Sequence, residues 1–160
     1  MVIRELAETD WRRYRDIRLK ALQDTPDAFA STYADESGFS EQKWRERLSG
    51  AGATFLAEDD GTDVGMATGA HYVGKSGTAG LFGMWVAPSA RRLGCGVALV
   101  GAVVGWAREA GFERVALDVA DQNAAAIALY RRAGFIASGA TGALPPPRSH
   151  VTEHEMVLKL

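Results

Sequence analysis

Cysteine occurs once in the 160 residues, at position 95. An internal disulfide is therefore excluded, and packing alone must hold the fold. A basic excess is also missing: 18 Lys and Arg against 20 Asp and Glu leave a net charge of −2. That balance argues against nucleic acid as the main partner. Long apolar runs are missing too. The most apolar stretch, Val97 to Ala107, is too short to span a bilayer. The N-terminal "MVIRELAETDWRRY" carries charge where a signal peptide needs an apolar run. The expectation is a soluble cytoplasmic protein with no membrane partner. The length suits one domain, residues 1–160, with a core of its own.

What is present is regular periodicity. "VIREL" alternates and reads as a strand. "TDWRRYRDIRLKALQD" sets Trp11, Tyr14, Ile17, Ala21 and Leu22 on one helical face, with Leu19 at its edge. Thr9 or Asp10 is placed to cap that helix, and Pro26 lies just past its end. "FASTYADESG" reads as polar turns, and "SEQKWRERL" as a short helix begun by Ser40. The period then becomes that of strands: "ATFLAED", a turn at "DDGT", "DVGMATGAHYV", a turn at "GKSG", and "AGLFGMWVAP", stopped by Pro88. The loop "SARRLGCG" leads into the apolar helix "VALVGAVVGWAREAG". "ERVALDV" is a strand, "NAAAIALYRRAG" a helix, "FIASGA" a strand and "TGALPPPRSH" a loop. "VTEHEMVLKL" closes as a strand with Met156, Leu158 and Leu160 on one face. The pattern predicts an α+β fold with a mixed sheet of about seven strands flanked by four helices.

Three motifs fail on their neighbours. "GAHYVGKS" at residues 69–76 fits the phosphate loop G-x-x-x-x-G-K-S/T, but that loop must open a helix. Here a glycine-broken strand follows Ser76, so a β-turn is expected. "HVTEH" at residues 150–154 fits the zinc-protease string H-x-x-E-H. In a strand, residues four apart lie roughly 13 Å from each other, too far for both histidines to bind one zinc at about 2.1 Å. "GCGVAL" resembles part of a dinucleotide fingerprint with Asp118 downstream, but Leu99 holds the third glycine position.

One constellation keeps the right neighbours. In "MWVAPSARRLGCGVALV" a strand enters a loop and the loop enters a helix. Gly94 and Gly96 remove side chains where amides must approach a ligand. The helix start adds partial positive charge, and Arg91 and Arg92 add two full charges. A solvated arginine pair at a glycine-rich helix start accounts for the loop equally well on its own. Downstream, Asn123 and Tyr130 are seven apart and share a helix face. An N-cap asparagine and a packed tyrosine would give the same spacing.

"RRLGCG" resembles the R-x-x-G-x-G/A loop of the GNAT superfamily of acetyl-CoA-dependent N-acetyltransferases. "NAAAIALYRRAGF" is similar to their N-x-x-A-x-x-L-Y-x-x-x-G-F segment. The element order also resembles theirs over essentially the whole chain, so a GNAT-like fold is expected. The resemblance implies a V-shaped opening between the strands ending near Val86 and Val119. Acetyl-CoA would lie in it as co-substrate, paired with the backbone of Met84, Trp85 and Val86. Arg91 and Arg92 would sit beside the pyrophosphate, held by amides from Arg92 through Leu93, Gly94, Cys95 and Gly96 to Val97. Asn123 and Ala126 would meet the pantetheine, and Tyr130 the sulfur. The partner implied is an amine acceptor; a homodimer is compatible with the family, and no metal is implied. A sensor or scaffold that binds acyl-CoA without catalysis is the alternative.

The reaction implied is direct attack of an amine on the thioester. Tyr130 is expected to protonate the leaving thiolate. Many members carry a glutamate on the strand here ending near Val86, and this sequence has none between Leu81 and Val86. The base is therefore sought in Glu36, Asp35, His71 or Asp118, with Glu36 and His71 put forward, or in a water chain. Cys95, the variable slot between two loop glycines, is expected to act only as a small spacer. Cys95→Ala should keep most activity, and mass spectrometry should find no acetyl group on Cys95. An acetylated Cys95 together with an inactive alanine variant would instead mean a covalent intermediate.

Overall fold

The computed structural model describes all residues, 1–160. Seven strands form one sheet: β1 (Val2–Glu5), β2 (Ala53–Asp59), β3 (Thr62–His71), β4 (Thr78–Val86), β5 (Arg114–Ala120), β6 (Ile136–Ala143) and β7 (Thr152–Lys159). Their order across the sheet is β1-β2-β3-β4-β5-β7-β6. Every pair is antiparallel except β4 with β5. The helices are α1 (Trp11–Asp24), α2 (Tyr33–Glu36), α3 (Glu41–Leu48), α4 (Cys95–Glu109) and α5 (Ala124–Arg132). Four of these are substantial, as the periodicity predicts. The one-turn helix α2 falls within the stretch read as turns, where Thr32 caps it by accepting from the Asp35 amide.

The sheet separates two cores. On one face Trp11, Tyr14, Ile17, Ala21 and Leu22 of α1 pack with Trp44 of α3, Leu56, Met66 and Trp85. These are the α1 residues that the helical period selects. On the other face Leu99, Val100, Val103, Val104 and Ala107 of α4 pack with Leu81, Val115, Leu117, Tyr130 and Met156. Ser40 caps α3 as expected. Asp10 instead accepts from the Ala7 amide and makes no side-chain bond into α1.

Glycine decides how closely α4 sits on the sheet. A Cβ on Gly65 would stand 2.9 Å from Cys95 Sγ, and one on Gly69 would stand 2.5 Å from the Trp106 ring. The sheet is therefore bare where the helix crosses it. "GAHYVGKS" forms the β3–β4 hairpin: the Tyr72 amide donates to Thr78 and the Lys75 amide to Tyr72. Lys75 forms an ion pair with Glu155. His154 lies in β7 and His150 in the loop before it, so no helix carries that pair.

Gly69→Ala should drive a methyl into Trp106 and lower stability by about 1–3 kcal/mol, the scale of core overpacking. Gly101→Ala meets nothing within 4 Å on the open side of α4 and should raise stability by about 0.5–1 kcal/mol through helix entropy. Urea denaturation of the two variants tests both signs.

Candidate active site

The site begins where two strands part. β4 and β5 pair only at Thr78–Gly80 against Arg114–Ala116. Beyond Gly80 they diverge, and Leu81–Val86 face Leu117–Ala120 across a gap. Within that stretch β4 carries an extra residue: Met66 pairs with Trp85 and Thr68 with Phe82, so three steps on β4 match two on β3. Gly83 takes up the bulge at φ 60, a conformation glycine adopts at no steric cost. The Ala87 amide donates to Val64 at 2.7 Å. Antiparallel alternation then turns the backbone of Trp85 toward β3 and that of Met84 and Val86 into the gap.

A row of free donors stands at the end of this gap. No amide from Arg92 to Val97 donates to a carbonyl of the chain, and the first bond of α4 runs from Ala98 to Gly94 at 3.1 Å. Arg92 is a non-glycine residue at φ 68, and Gly94 follows at φ 83 as the N-cap of α4. Successive amides in this geometry converge to form an anion nest, and the helix start adds its partial charge. Strands with unpaired backbone groups beside such a nest fit an extended amide-bearing chain that ends in a pyrophosphate.

Across the bulge lies a second cleft of about 230 Å³, lined by Tyr14, Arg18, Arg47, Thr68, Phe82 and Gly83. Its chemistry comes from α1 and α3. Arg18 donates to both oxygens of Glu36 at 3.0 Å, and Arg47 donates to Oε1 at 2.8 Å. On the other side of Phe82, Tyr72 stacks on the Phe82 ring and its hydroxyl donates to Asp118 at 3.1 Å. Burial, then the charge of Asp118, raises the Glu153 carboxyl. The cleft itself is lined by cations, and the Asp118 carboxylate lies beyond the stacked Phe82 and Tyr72 rings.

A family model described as the acetyltransferase (GNAT) family matches residues 6–135. The chain belongs to this family. A ribosomal-protein-alanine N-acetyltransferase from Brucella melitensis is 26% identical, with TM-score 0.81 and 100% of each chain covered. A GNAT-family acetyltransferase from Streptococcus pneumoniae is 21% identical, with TM-score 0.84 over 99% of this chain and 98% of that one. A phosphinothricin acetyltransferase from Sinorhizobium meliloti, solved with AcCoA, is 21% identical, with TM-score 0.81 over 99% and 88%. The latter two likenesses speak for the GNAT fold.

Set on this GNAT framework, the expected site residues divide. Met84, Val86, Arg92, Leu93, Gly94, Cys95, Gly96 and Val97 border the gap or the nest, with Leu93 and Val97 exposed. Trp85 does not line the gap: its backbone faces β3, and its buried indole donates to Asp24 at 3.0 Å. Arg91 is drawn away from the nest, donating to the Val86 carbonyl at 3.0 Å and to Asp24 at 2.8 Å. Gly96 is bare for a different reason from the one expected. A Cβ there would stand 2.9 Å from Leu129 and 3.4 Å from Met84, so the constraint is packing of α4 on α5 and β4. Cys95 is buried, and burial pushes its thiol up, away from thiolate. Asn123 spends its oxygen capping α5, where it accepts from Ala126 at 3.2 Å, and only its NH₂ is free. Tyr130 is buried against Phe135, and burial raises its phenol strongly. Its hydroxyl has no partner in the chain, yet no side-chain polar atom is both sealed and unpaired. The Tyr130 oxygen therefore still reaches open space.

The two expected bases are not placed to act. Glu36 is fully buried and consumed by two arginines. His71 alternates to the opposite face of β3 from Thr68, where its ring lies 6.1 Å from Phe112. Asp35 is exposed on α2. Spacing had no means to reveal Arg18 and Arg47, because their importance rests on a carboxylate 18 and 11 residues away.

Burial alone would raise the Glu36 carboxyl, but the Arg18 hydrogen bonds and charge, with Ser31 and Arg47, bring it below the ordinary glutamate value. A lowered folded pKa means stability that is present above the unfolded pKa and lost as pH falls through the folded one. Glu36→Gln should therefore cost about 3–5 kcal/mol near pH 7, the scale of breaking a buried pair. The gap to wild type should narrow as pH falls below about 4.3. Urea denaturation across pH 3–7 checks both the size and the narrowing.

Proposed function

We propose that this chain, as one domain over residues 1–160, transfers the acetyl group of acetyl-CoA to a primary amine by direct attack within a ternary complex. The observation that carries the reading is the run of six undonated amides, Arg92 to Val97, beside the parted strands β4 and β5. Acetyl-CoA supplies an activated acyl group as a thioester. The chain's own residues do the rest. The backbone of Met84 and the amide of Val86, whose carbonyl is taken by Arg91, align the pantetheine arm as an added strand. The Arg92–Val97 nest holds the pyrophosphate, and the Asn123 NH₂ bonds the amide-bearing arm. An amide at the Gly83 bulge faces the charge that develops on the carbonyl oxygen.

Proton movement falls to two flanks. The acceptor cleft is the one lined by Arg18, Arg47 and Phe82. The Asp118 carboxylate, bonded by Tyr72 on the far side of Phe82, with Glu153 further along the same strands, stands nearest to it as a proton acceptor. A raised glutamate takes a proton from an ammonium more readily than an ordinary one, directly or through water. Tyr130 returns a proton to the thiolate. Burial raises the phenol, which keeps it protonated and able to donate when the thiolate forms.

Release of free thiol from acetyl-CoA over a panel of primary amines tests the activity. Acetyl-CoA binding without release by any amine would favour the acyl-CoA sensor. Tyr130→Phe should lower kcat roughly 10²-fold, the scale of one general acid, with little change in KM for acetyl-CoA. The defect should shrink with an acyl donor whose leaving thiol is more acidic. Equal rates for the two proteins with acetyl-CoA would remove Tyr130 from the mechanism.

A further inference from the structure

Two guanidiniums meet one carboxylate at the floor of the acceptor cleft. Glu36 accepts from Nε and Nη2 of Arg18 and from Nη1 of Arg47, and neither arginine has a second acidic partner. One positive charge is left in excess. Both arginines line the cleft together with Gly83 and Phe82, and their side chains are 12% and 28% exposed. Arg18 Nη1 lies 3.1 Å from the point where a Gly83 Cβ would stand, so a free N–H of this arginine lies against the β4 bulge. Nε and Nη2 of Arg47 also have no acceptor in the chain. Arg18 rests on Phe29, and Arg47 on Phe39 and Trp44, which fixes their planes without using their donors.

From this arrangement we infer that the acceptor amine carries an oxyanion, a carboxylate or its chemical equivalent, that docks on Arg18 and Arg47. Paired guanidinium donors on a fixed plane suit such a group. Beyond Phe82, which lines the cleft, Tyr72 donates to Asp118. The nearby Lys75 is paired with Glu155, which leaves the Asp118 carboxylate to draw the ammonium end of the same molecule. The arginine-lined cleft thus suits the anionic end of a small zwitterion, and polyamines and aminoglycosides meet a like charge at the bulge. The inference rests on the cleft being an acetyl-transfer site. It adds the substrate class and assigns Arg18 and Arg47 to specificity.

The test compares acceptors that differ only in that charge. α-, β- and γ-amino acids are assayed by thiol release beside their carboxamides, with spermidine as a cation and with dipeptides carrying Asp or Glu second. Free acids should exceed their amides in kcat/KM by roughly 10–100-fold, the scale of a hydrogen-bonded charge. The same preference confined to the acidic dipeptides supports the oxyanion subsite with a peptide as its source. In Arg47→Gln the acid-to-amide ratio should fall toward one, and Arg47→Lys should recover part of it. If Arg47→Gln does not fold, the wild-type ratio decides alone. Turnover of amides or spermidine with no preference for acids overturns the inference and leaves the acetyltransferase reading intact. No turnover, but calorimetric binding of an acid and not of its amide, keeps the subsite and overturns the acetyltransferase reading. Neither turnover nor binding of acids overturns both.

Discussion

Parallel strands β4 and β5 share three residue pairs and then separate. Backbone amides and carbonyls left without partners are costly when buried, so the two strands part only where the gap stays open to solvent or to a ligand with matching groups. The bulge at Gly83 and the start of α4 both follow from this geometry. The bulge sets side chains back in step after one extra residue, with Leu81 and Met84 on the α4 face and Phe82 and Trp85 on the α1 face. The chain then turns at Pro88 and enters α4 with its free amides beside the strand it has just left.

Charged side chains hold the surrounding segments to this opening. Arg148 reaches from the β6–β7 connection to the carbonyls of Pro26, Phe29 and Ala30, at 2.6, 2.8 and 2.8 Å. Asp24, the last residue of α1, accepts from both Trp85 and Arg91. Glu36 binds α1 to α3 through Arg18 and Arg47. A hydrophobic layer can slide, whereas a buried carboxylate with three donors has one low-energy position. These polar ties set where the cleft walls stand, and the two apolar cores beneath supply the bulk of the stability.

Much of the fold was legible because local period and global burial agree. The residues Trp11, Tyr14, Ile17, Ala21 and Leu22 recur at helical spacing and are the buried residues of α1. The "GKSG" turn and the strand at residues 152–159 follow from glycine and alternation in the same way. The one-turn helix α2 escaped because four residues hold too little period to detect. The site was legible only in part. The undonated loop from Arg92 to Val97, the candidate phosphate cradle, is marked in the sequence by its glycines and the helix behind it. Arg91 and Trp85 proved to have partners that spacing does not reveal, namely Asp24 and the β3 backbone, whereas the bond of Asn123 to the Ala126 amide is the N-cap that its place at the helix start allows.

By itself the sequence determined the order of elements, the loop that opens α4 and the tyrosine on the helix after β5. Each depends on neighbours within a few turns of chain, where side-chain type and backbone geometry are directly linked. The tertiary structure alone decided which charges face the cleft. Glu36 looked like a base, and the fold made it the counter-ion of Arg18 and Arg47. His71 looked well placed on β3, and the register turned it to the other face. A titratable group's role depends on the charges and solvent around it, and residues far apart in the chain supply those.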